Sequence, residues 1–450
     1  MVWGPWTLLI FIGTGIWFTI RSGFFQIRGI RTWIGETVGE VLRSDPEKKG
    51  GKKDSGVTPF QSACTALAAT IGTGNIVGVA TALTAGGAGA LFWMWLSAII
   101  GMMTAYAETV LGQKYRYRRK DGSWICGPMV YMERGLNCPG MGMLYAFFAM
   151  LSSLGMGSMV QSNSISGTLT FGTGIPGWGV GVFVTLVVAA VIIGGAARIA
   201  RVSERIMPLS AGIYILFSMA IILSCYEILP AVFGSIFREA FQFRSITGSV
   251  AGIVMSRSIR YGLSRGVFSN EAGLGSLAVL HGEAEDTTPQ KQGMWAMFEV
   301  FFDTIVICTM TALVILCITY YTGMPTRYDG AALTAWCFSR RLGGLGEVLV
   351  SGAMVVFAFA TIIAWYYLGR QTAGYLLEKL FAGKKAVKAG LAAYTLLYLA
   401  AVFIGCVCRL DLVWMFSDIW NGLMAYPNIL TLILLGGQVC YPRRDKHNRH

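Results

Sequence analysis

Two short stretches hold the residues whose types and spacing could do chemistry. The first is Ile71-Gly72-Thr73-Gly74-Asn75-Ile76-Val77-Gly78. The second, about 195 residues downstream, is Ser264-Arg265-Gly266-Val267-Phe268-Ser269-Asn270-Glu271-Ala272-Gly273-Leu274-Gly275-Ser276. Each interior Gly costs a helix about 1 kcal/mol relative to Ala, so glycines interleaved with Thr, Asn and Ser favour unwinding. A break frees N–H groups at the start of one half-helix and carbonyls at the end of the other. The positive N-terminal end attracts a carboxylate. The freed carbonyls and side-chain oxygens suit Na⁺ or an ammonium group. Either motif alone reads equally well as a glycine packing face; two in matching positions point to a ligand site.

Other chemistry has less support. The three histidines are His281, His447 and His450, which leaves no His-rich metal site or His-centred triad. The ten cysteines are scattered, mostly in apolar runs, and read as small buried hydrophobes. No H-E-x-x-H or Asp-rich motif is present, which argues against a membrane-embedded enzyme. A channel would need a continuous pore.

These motifs must be positioned by membrane-spanning elements. Hydrophobic residues make up 54% of the 450, charged residues only 13%, and mean hydropathy is +0.58. A soluble domain carries about 25% charged residues, so the composition excludes an ordinary soluble enzyme and a disordered chain. Apolar stretches long enough to cross a bilayer fall near 3–20, 59–85, 90–112, 143–169, 179–196, 208–229, 250–281, 292–319, 345–369, 389–407 and 413–440. This predicts an all-α polytopic membrane protein with about eleven spans. The first stretch lacks a basic leader and a cleavage site, so it reads as a retained span.

The net charge of +13 then becomes an orientation signal. Of the 36 Lys and Arg residues, 27 fall in loops on one side, 6 on the other and 3 in the 250–281 segment. The positive-inside rule puts the C-terminus in the cytoplasm and the N-terminus outside. No nucleic-acid partner is needed to explain the charge. The run Glu47 to Asp54 reads as a solvated linker, and 441–450 as a basic cytoplasmic tail.

With 3–20 set apart, residues 1–440 form one transporter domain of two five-span halves, 59–229 and 250–440. Both broken stretches fall in the first span of their half. Five is odd, so the halves are inverted. This 5+5 layout, with discontinuous core spans 1 and 6, is that of an inverted-repeat secondary transporter.

Intramembrane carboxylates cost about 2.5–3.5 kcal/mol each at a helix centre, so each needs a reason. Glu271 reads either as a gating or coupling carboxylate or as a charge on the second half-helix paired with Arg265 or another Arg. Glu299 and Asp303, at i and i+4, share a face and pair with backbone or Arg, or relay a proton. Glu108 lies within reach of Lys114 and Arg116.

The chain resembles the alanine or glycine:cation symporter family, the sodium:alanine symporters, over residues 3–440. The resemblance rests on Thr65 to Ala80, on Gly89-Ala90-Leu91-Phe92-Trp93-Met94-Trp95 and on Arg265 to Ser276. It implies the leucine-transporter fold and uptake of small neutral amino acids with Na⁺ into the cell by alternating access, with H⁺ as the alternative coupling ion. It implies no organic cofactor and a multi-pass cell-membrane location, and it leaves the oligomeric state open. Thr73, Gly74 and Asn75 would hold the substrate from core span 1, with Gln161 from span 3. Phe268, Ser269 and Asn270 would line the pocket from span 6, and Trp365 would face it from span 8. Na⁺ would lie on span 1 carbonyls near Gly72 and Asn75 with the Thr361 hydroxyl. The family pattern Gly-Trp-Ser-Tyr-Tyr-Gly-Glu reads Ala364-Trp365-Tyr366-Tyr367-Leu368-Gly369-Arg370 here. That implies a pocket rim reshaped by Tyr366 and a cytoplasmic-side pair altered by Arg370.

Overall fold

The computed structural model describes residues 4–43, 56–119, 122–241, 257–325, 328 and 330–442. The Glu47–Asp54 linker, residues 250–256 of the seventh stretch and 443–450 of the tail lie outside them. Helices dominate: α1 Pro5–Arg21, α2 Pro59–Thr70, α3 Val77–Gly86, α4 Gly89–Tyr115, α5 Pro139–Ser152, α6 Gln161–Thr173, α7 Gly177–Ile192, α8 Gly195–Leu223 and α9 Leu229–Ala240. The second half holds α10 Arg257–Asn270, α11 Ser276–Leu280, α12 Pro289–Val300, α13 Thr309–Thr322, α14 Gly330–Leu342, α15 Gly344–Leu380, α16 Lys384–Val407 and α17 Leu410–Leu435. A two-residue hairpin, β1 Tyr117–Arg118 with β2 Trp124–Ile125, lies between α4 and α5.

Among the described residues, helix occupies part or all of each apolar stretch. Among them, seven helical segments are long and apolar enough to cross a bilayer, α2 with α3 make an eighth bent by 57°, and α1 and α7 are shorter apolar helices. The pair α10 and α11 is interrupted at 271–275, and α10 carries Arg257, Arg260 and Arg265. Several helices outrun their apolar stretch. α8 begins at Gly195 and carries Arg198, Arg201 and Arg205, and α15 runs 37 residues to Leu380. Residues 197–207 and 370–380, read as loops, are therefore helix: hydropathy marks the lipid-matched length, whereas the helix continues while side chains can reach water. The expected loop at 230–249 likewise begins as helix α9, with Val232, Ile236 and Ala240 turned inward.

Local chemistry explains how the broken spans begin and end. Thr58 and Gln61 form a capping box at the start of α2, with Gln61 N donating to Thr58 Oγ1 at 3.2 Å and Thr58 N donating to Gln61 Oε1 at 3.1 Å. Pro59 occupies the first helical position. α2 stops where Ile71 turns extended, and Thr73–Asn75 forms a single 3₁₀ turn before α3. The second break is shorter than its motif. α10 continues through Asn270, so Phe268, Ser269 and Asn270 are helical and only 271–275 is unwound. Gly273 and Gly275 take φ of +91° and +83°, and Glu271 takes +56°. That left-handed conformation suits glycine, while a side chain adopts it at a cost.

α10 packs along α4. A Cβ on Gly262 would overlap the Ala90 carbonyl, and one on Gly266 would overlap Ser97 Oγ. This small-x-x-x-small face brings the two backbones together. Two helices also carry unexpected π-helical turns, Ser153–Val160 between α5 and α6 and Phe301–Cys308 between α12 and α13. Such bulges recur at functional sites.

Candidate functional site

The two breaks meet in the bundle centre. The Thr73–Asn75 turn packs against α10, the Phe301–Cys308 turn and α15. Gly74 approaches α10 closely: a Cβ there would lie 3.5 Å from Ser269 Cα and 3.7 Å from Phe268 Cδ1.

Most of the expected residues converge here. Thr73 N donates to Gln161 Oε1 at 3.3 Å, and Gln161 Nε2 donates to Met156 O at 3.2 Å within the π-turn. Gly72 N donates to Asn75 Oδ1 at 3.0 Å, so the Asn75 side chain folds back over its own break. Asn75 Nδ2 donates to Asp303 Oδ1 at 2.6 Å, and Ser269 Oγ donates to Asp303 Oδ2 at 2.8 Å. Thr73 Oγ1 is buried without a hydrogen-bond partner. Asn270 bonds to Thr304 Oγ1 and to Ala272 N, so both ends of its amide are committed to closing α10.

Trp365 reaches the second break from α15, its Nε1 donating to Glu271 Oε1 at 3.1 Å. Its ring base lies against Gly157 of the first π-turn, where a Cβ would overlap it. Glu271 therefore pairs with an indole and not with Arg265. The Arg265 guanidinium instead stacks over Phe268 and Trp414, 5.8 and 5.3 Å from their ring centroids.

Thr361 lies in an all-oxygen cluster. Its Oγ1 donates within reach of Ala68 O at 2.9 Å, Phe357 O at 3.0 Å and Ile71 O at 3.5 Å. The α2 carbonyls beside Thr361 are thus those of Ala68 and Ile71, while the Asn75 side chain turns to Asp303. The reason is the helix end: α2 runs to Thr70, and its last carbonyls have no partner four residues on. Gly72 comes equally close, since a Cβ there would sit 2.6 Å from Thr361 Oγ1.

Several carboxylates have partners other than those expected. Asp303 bonds to Asn75, Ser269 and Thr304, and neither to backbone alone nor to Arg. Glu299 lies 2.9 Å from His281 Nε2, both side chains fully buried. Glu108 supports the second break: its Oε2 accepts from Gly275 N at 3.1 Å and from Asn428 Nδ2 at 3.0 Å. Lys114 and Arg116 turn elsewhere, to Gln438 and to the carbonyls of Gly282 and Ala284. Asn428 Nδ2 also holds Gly273 O, and Tyr145 OH holds Leu274 O. Tyr366 is not at a pocket rim. It bonds to Thr395 of α16, stacks on Tyr394, meets Tyr398 edge-on, and accepts from Arg370 Nη1 at 3.2 Å.

A cavity of about 830 Å³ stands over the convergence, lined by Val77, Gly78, Asn163, Arg265, Trp414 and residues of α14 and α15. Its lining residues Val77, Asn163 and Arg265 follow Asn75 and Gln161 by two residues and precede Ser269 by four along the chain, and Tyr328 and Leu410 also line it. Toward the other end of α15 lie three ion pairs. Arg118 pairs with Glu285 at 2.6 Å, Arg119 with Glu378 at 2.8 Å, and Lys379 with Glu133. Glu283 there accepts from Tyr367 OH at 3.3 Å and Gln371 Nε2 at 3.2 Å. Burial pushes its carboxyl above the usual range, against the Tyr367 hydrogen bond.

Known proteins resemble this chain in sequence and in fold. A family model described as the sodium:alanine symporter family matches residues 1–448. The sodium/alanine symporter AgcS of Methanococcus maripaludis is 40% identical over 446 residues, covering 97% of this chain and 93% of its own. The probable sodium/glutamine symporter GlnT of Bacillus subtilis is 34% identical, with 99% and 88% covered. Among solved structures, a Na⁺-coupled sialic acid symporter superposes with a TM-score of 0.58 at 12% identity, covering 94% of this chain and 87% of that one. MhsT in complex with L-phenylalanine superposes with a TM-score of 0.52 at 14% identity, covering 85% and 98%.

Proposed function

The chain belongs to the sodium:alanine symporter family, and from that premise we propose that it carries alanine or glycine into the cell with Na⁺ by alternating access. The observation that carries the coupling is the Thr361 cluster. A hydroxyl and three carbonyls from two different helices present only oxygen, the ligand type a hard monovalent cation takes. Ala68 O, Ile71 O, Phe357 O and Thr361 Oγ1 would hold Na⁺. Its binding would fix α2 against α15 and so favour one arrangement of the broken span.

The amino acid would lie between the two breaks. The Thr73–Asn75 turn offers backbone N–H groups and the unpartnered Thr73 hydroxyl to its carboxylate, and Gln161 and Ser269 border it. Phe268, 3.7 Å from where a Gly74 Cβ would lie, and the buried Trp365 are the bulky groups that would limit it to a short side chain. This supports alanine or glycine over a long substrate such as the one named for GlnT.

We read the 830 Å³ cavity as the outer vestibule, because it lies beside the Lys- and Arg-poor segments 320–344 and 408–412. The ion-paired side is then cytoplasmic and closed. The two halves 59–229 and 250–440 would rock about the site. A second coupling ion, H⁺, is favoured by one observation, the buried Asp303 beside Asn75.

Uptake of radiolabelled alanine into proteoliposomes tests the reading. An inward Na⁺ gradient should drive saturable accumulation, and replacing Na⁺ by K⁺ should abolish it. Accumulation driven equally by a pH gradient without Na⁺ would overturn Na⁺ coupling. Sidedness is tested by cysteines at Ser123 and Gly330 in a background lacking reactive thiols. Labelling of both from the same side would overturn the topology.

A further inference from the structure

The proposed central site leaves one charged residue without a role. Arg265 sits on α10 one turn before Ser269, on the same face, and lines the vestibule. Among the described residues it makes no ion pair, and its Nε is buried without an acceptor. Asp418 on α17 is the acid its field reaches. The guanidinium is held in place by rings: it covers Phe268 and Trp414, whose centroids are 5.3 Å apart. Stacking of this kind fixes the planar fork while leaving its donors available.

Asn163 lines the same cavity, two residues from Gln161. Its Nδ2 is fully used, donating to Gly405 O at 2.8 Å and Cys408 O at 2.9 Å. The amide is therefore oriented, and its Oδ1 is left as an acceptor. The lining thus offers a fixed cationic fork from one side chain and a fixed neutral acceptor from another.

We propose that Arg265 and Asn163 form a vestibular capture site for the zwitterionic amino acid, Arg265 taking the carboxylate and Asn163 Oδ1 the ammonium, before the substrate passes Phe268. This rests on the amino-acid transport reading above. A partly buried guanidinium in no direct ion pair raises the local concentration of carboxylates at the mouth of the path. A bidentate fork selects them by geometry. The site would act on arrival, so it should govern KM and leave the maximal rate alone.

The test is initial-rate alanine uptake by the full-length protein in proteoliposomes, with Arg265→Met keeping the stem over the rings and removing the charge. The expected result is a KM raised at least tenfold, Vmax within twofold, and an unchanged Na⁺ activation curve. Unchanged KM would overturn the proposal, as would a fall in Vmax with a shifted Na⁺ curve, which would place Arg265 in the central machinery. If wild-type KM rises tenfold when methanesulfonate is replaced by chloride and R265M is insensitive, the ligand is an inorganic anion and the amino-acid assignment is overturned. Should R265M fail to reach the membrane, Arg265→Lys is read the same way, with a threefold rise in KM supporting the site and no change overturning it. Absence of Na⁺-driven uptake in the wild type would instead defeat the transport reading itself.

Discussion

Asn75 and Asp303 join the first break to the π-turn of the second half: Asn75 Nδ2 donates to Asp303 Oδ1 at 2.6 Å while Asn75 Oδ1 accepts Gly72 N at 3.0 Å. One amide thus holds the shape of the unwound turn and ties it to a buried carboxylate, which also accepts from Ser269 and Thr304. The proposed substrate gap is bounded by a network that spans three helices.

Removing the charge from that network should cost transport more than stability. Hydrogen bonds to a charged group contribute roughly 1.5–3 kcal/mol, and about 1.4 kcal/mol is a tenfold change in an equilibrium. Asp303→Asn keeps the volume and one acceptor, so it is expected to lower alanine uptake at least tenfold. Asn75→Ala should abolish uptake while the protein still reaches the membrane. Proteoliposome uptake, with a thermal melt of the purified variants, checks both. Normal uptake in Asn75→Ala would defeat the proposed site.

The Thr361 cluster predicts a separable effect on the ion. Thr361→Ala removes one of its four oxygens. The Na⁺ concentration for half-maximal uptake should rise about tenfold or more, a change of about 1.4 kcal/mol. Thr361→Ser, which keeps the hydroxyl, should stay within threefold. The alanine KM at saturating Na⁺ should be little changed in both. A Na⁺ curve unaffected by Thr361→Ala would remove the cluster from the coupling mechanism.

How much of this was readable beforehand follows the range of the interactions. The breaks at Gly72–Asn75 and at 271–275 announce themselves, because glycine beside Thr, Asn and Ser acts on the local backbone. The apolar stretches are equally visible, since bilayer thickness imposes them. Partners across the bundle are not local. Asp303 and Glu299 were seen to share a face, yet nothing in their spacing says that one meets Asn75 and the other His281. Glu108 was assigned to the nearby Lys114 and Arg116, but the Gly275 amide and Asn428 reach it first through the packing of α4 against the second break. The π-turns at 153–160 and 301–308 leave no periodicity signal, although the second carries Asp303 itself. Tyr366 shows the limit of a motif position: it turns to α16, so its departure from the family pattern repacks a flank and leaves the pocket rim alone.

The side proposed to be cytoplasmic should respond to pH through Glu283. Burial raises its carboxyl above the ordinary range, and Tyr367 and Gln371 bond to it. A raised acid contributes its stability in the neutral form. That contribution is present below the ordinary glutamate range and is lost as pH rises through the raised value. The protein should therefore lose thermostability as pH rises from below the ordinary glutamate range through the raised value, and Glu283→Gln should flatten that part of the slope. Melting temperatures of both proteins across this interval check it; an equally steep slope in the variant would show that another group titrates. The exposed Arg118–Glu285 pair should matter little, because such pairs are worth about 0–1 kcal/mol.

The two glycines of the first break should differ sharply although they are two residues apart. A Cβ on Gly72 would sit 2.6 Å from Thr361 Oγ1 and 3.2 Å from Gln161 Oε1. Both neighbours are fixed by hydrogen bonds, so neither can move aside cheaply. Gly72→Ala is expected to displace the Thr361 hydroxyl, to shift Na⁺ activation as Thr361→Ala does, and to lower the melting temperature. A Cβ on Gly74 meets Ser269 and Phe268 only at 3.5–3.7 Å, ordinary van der Waals contact. Gly74→Ala should therefore fold normally and keep its Na⁺ activation curve. Its methyl group would occupy space between the break and Phe268, where the substrate side chain is proposed to lie. Alanine uptake should fall more than glycine uptake, since glycine has no methyl group to compete for that space. Uptake of the two amino acids by each variant, measured in parallel, separates the ion cluster from the substrate gap. Equal losses for glycine and alanine in Gly74→Ala would mean that the substrate side chain lies elsewhere.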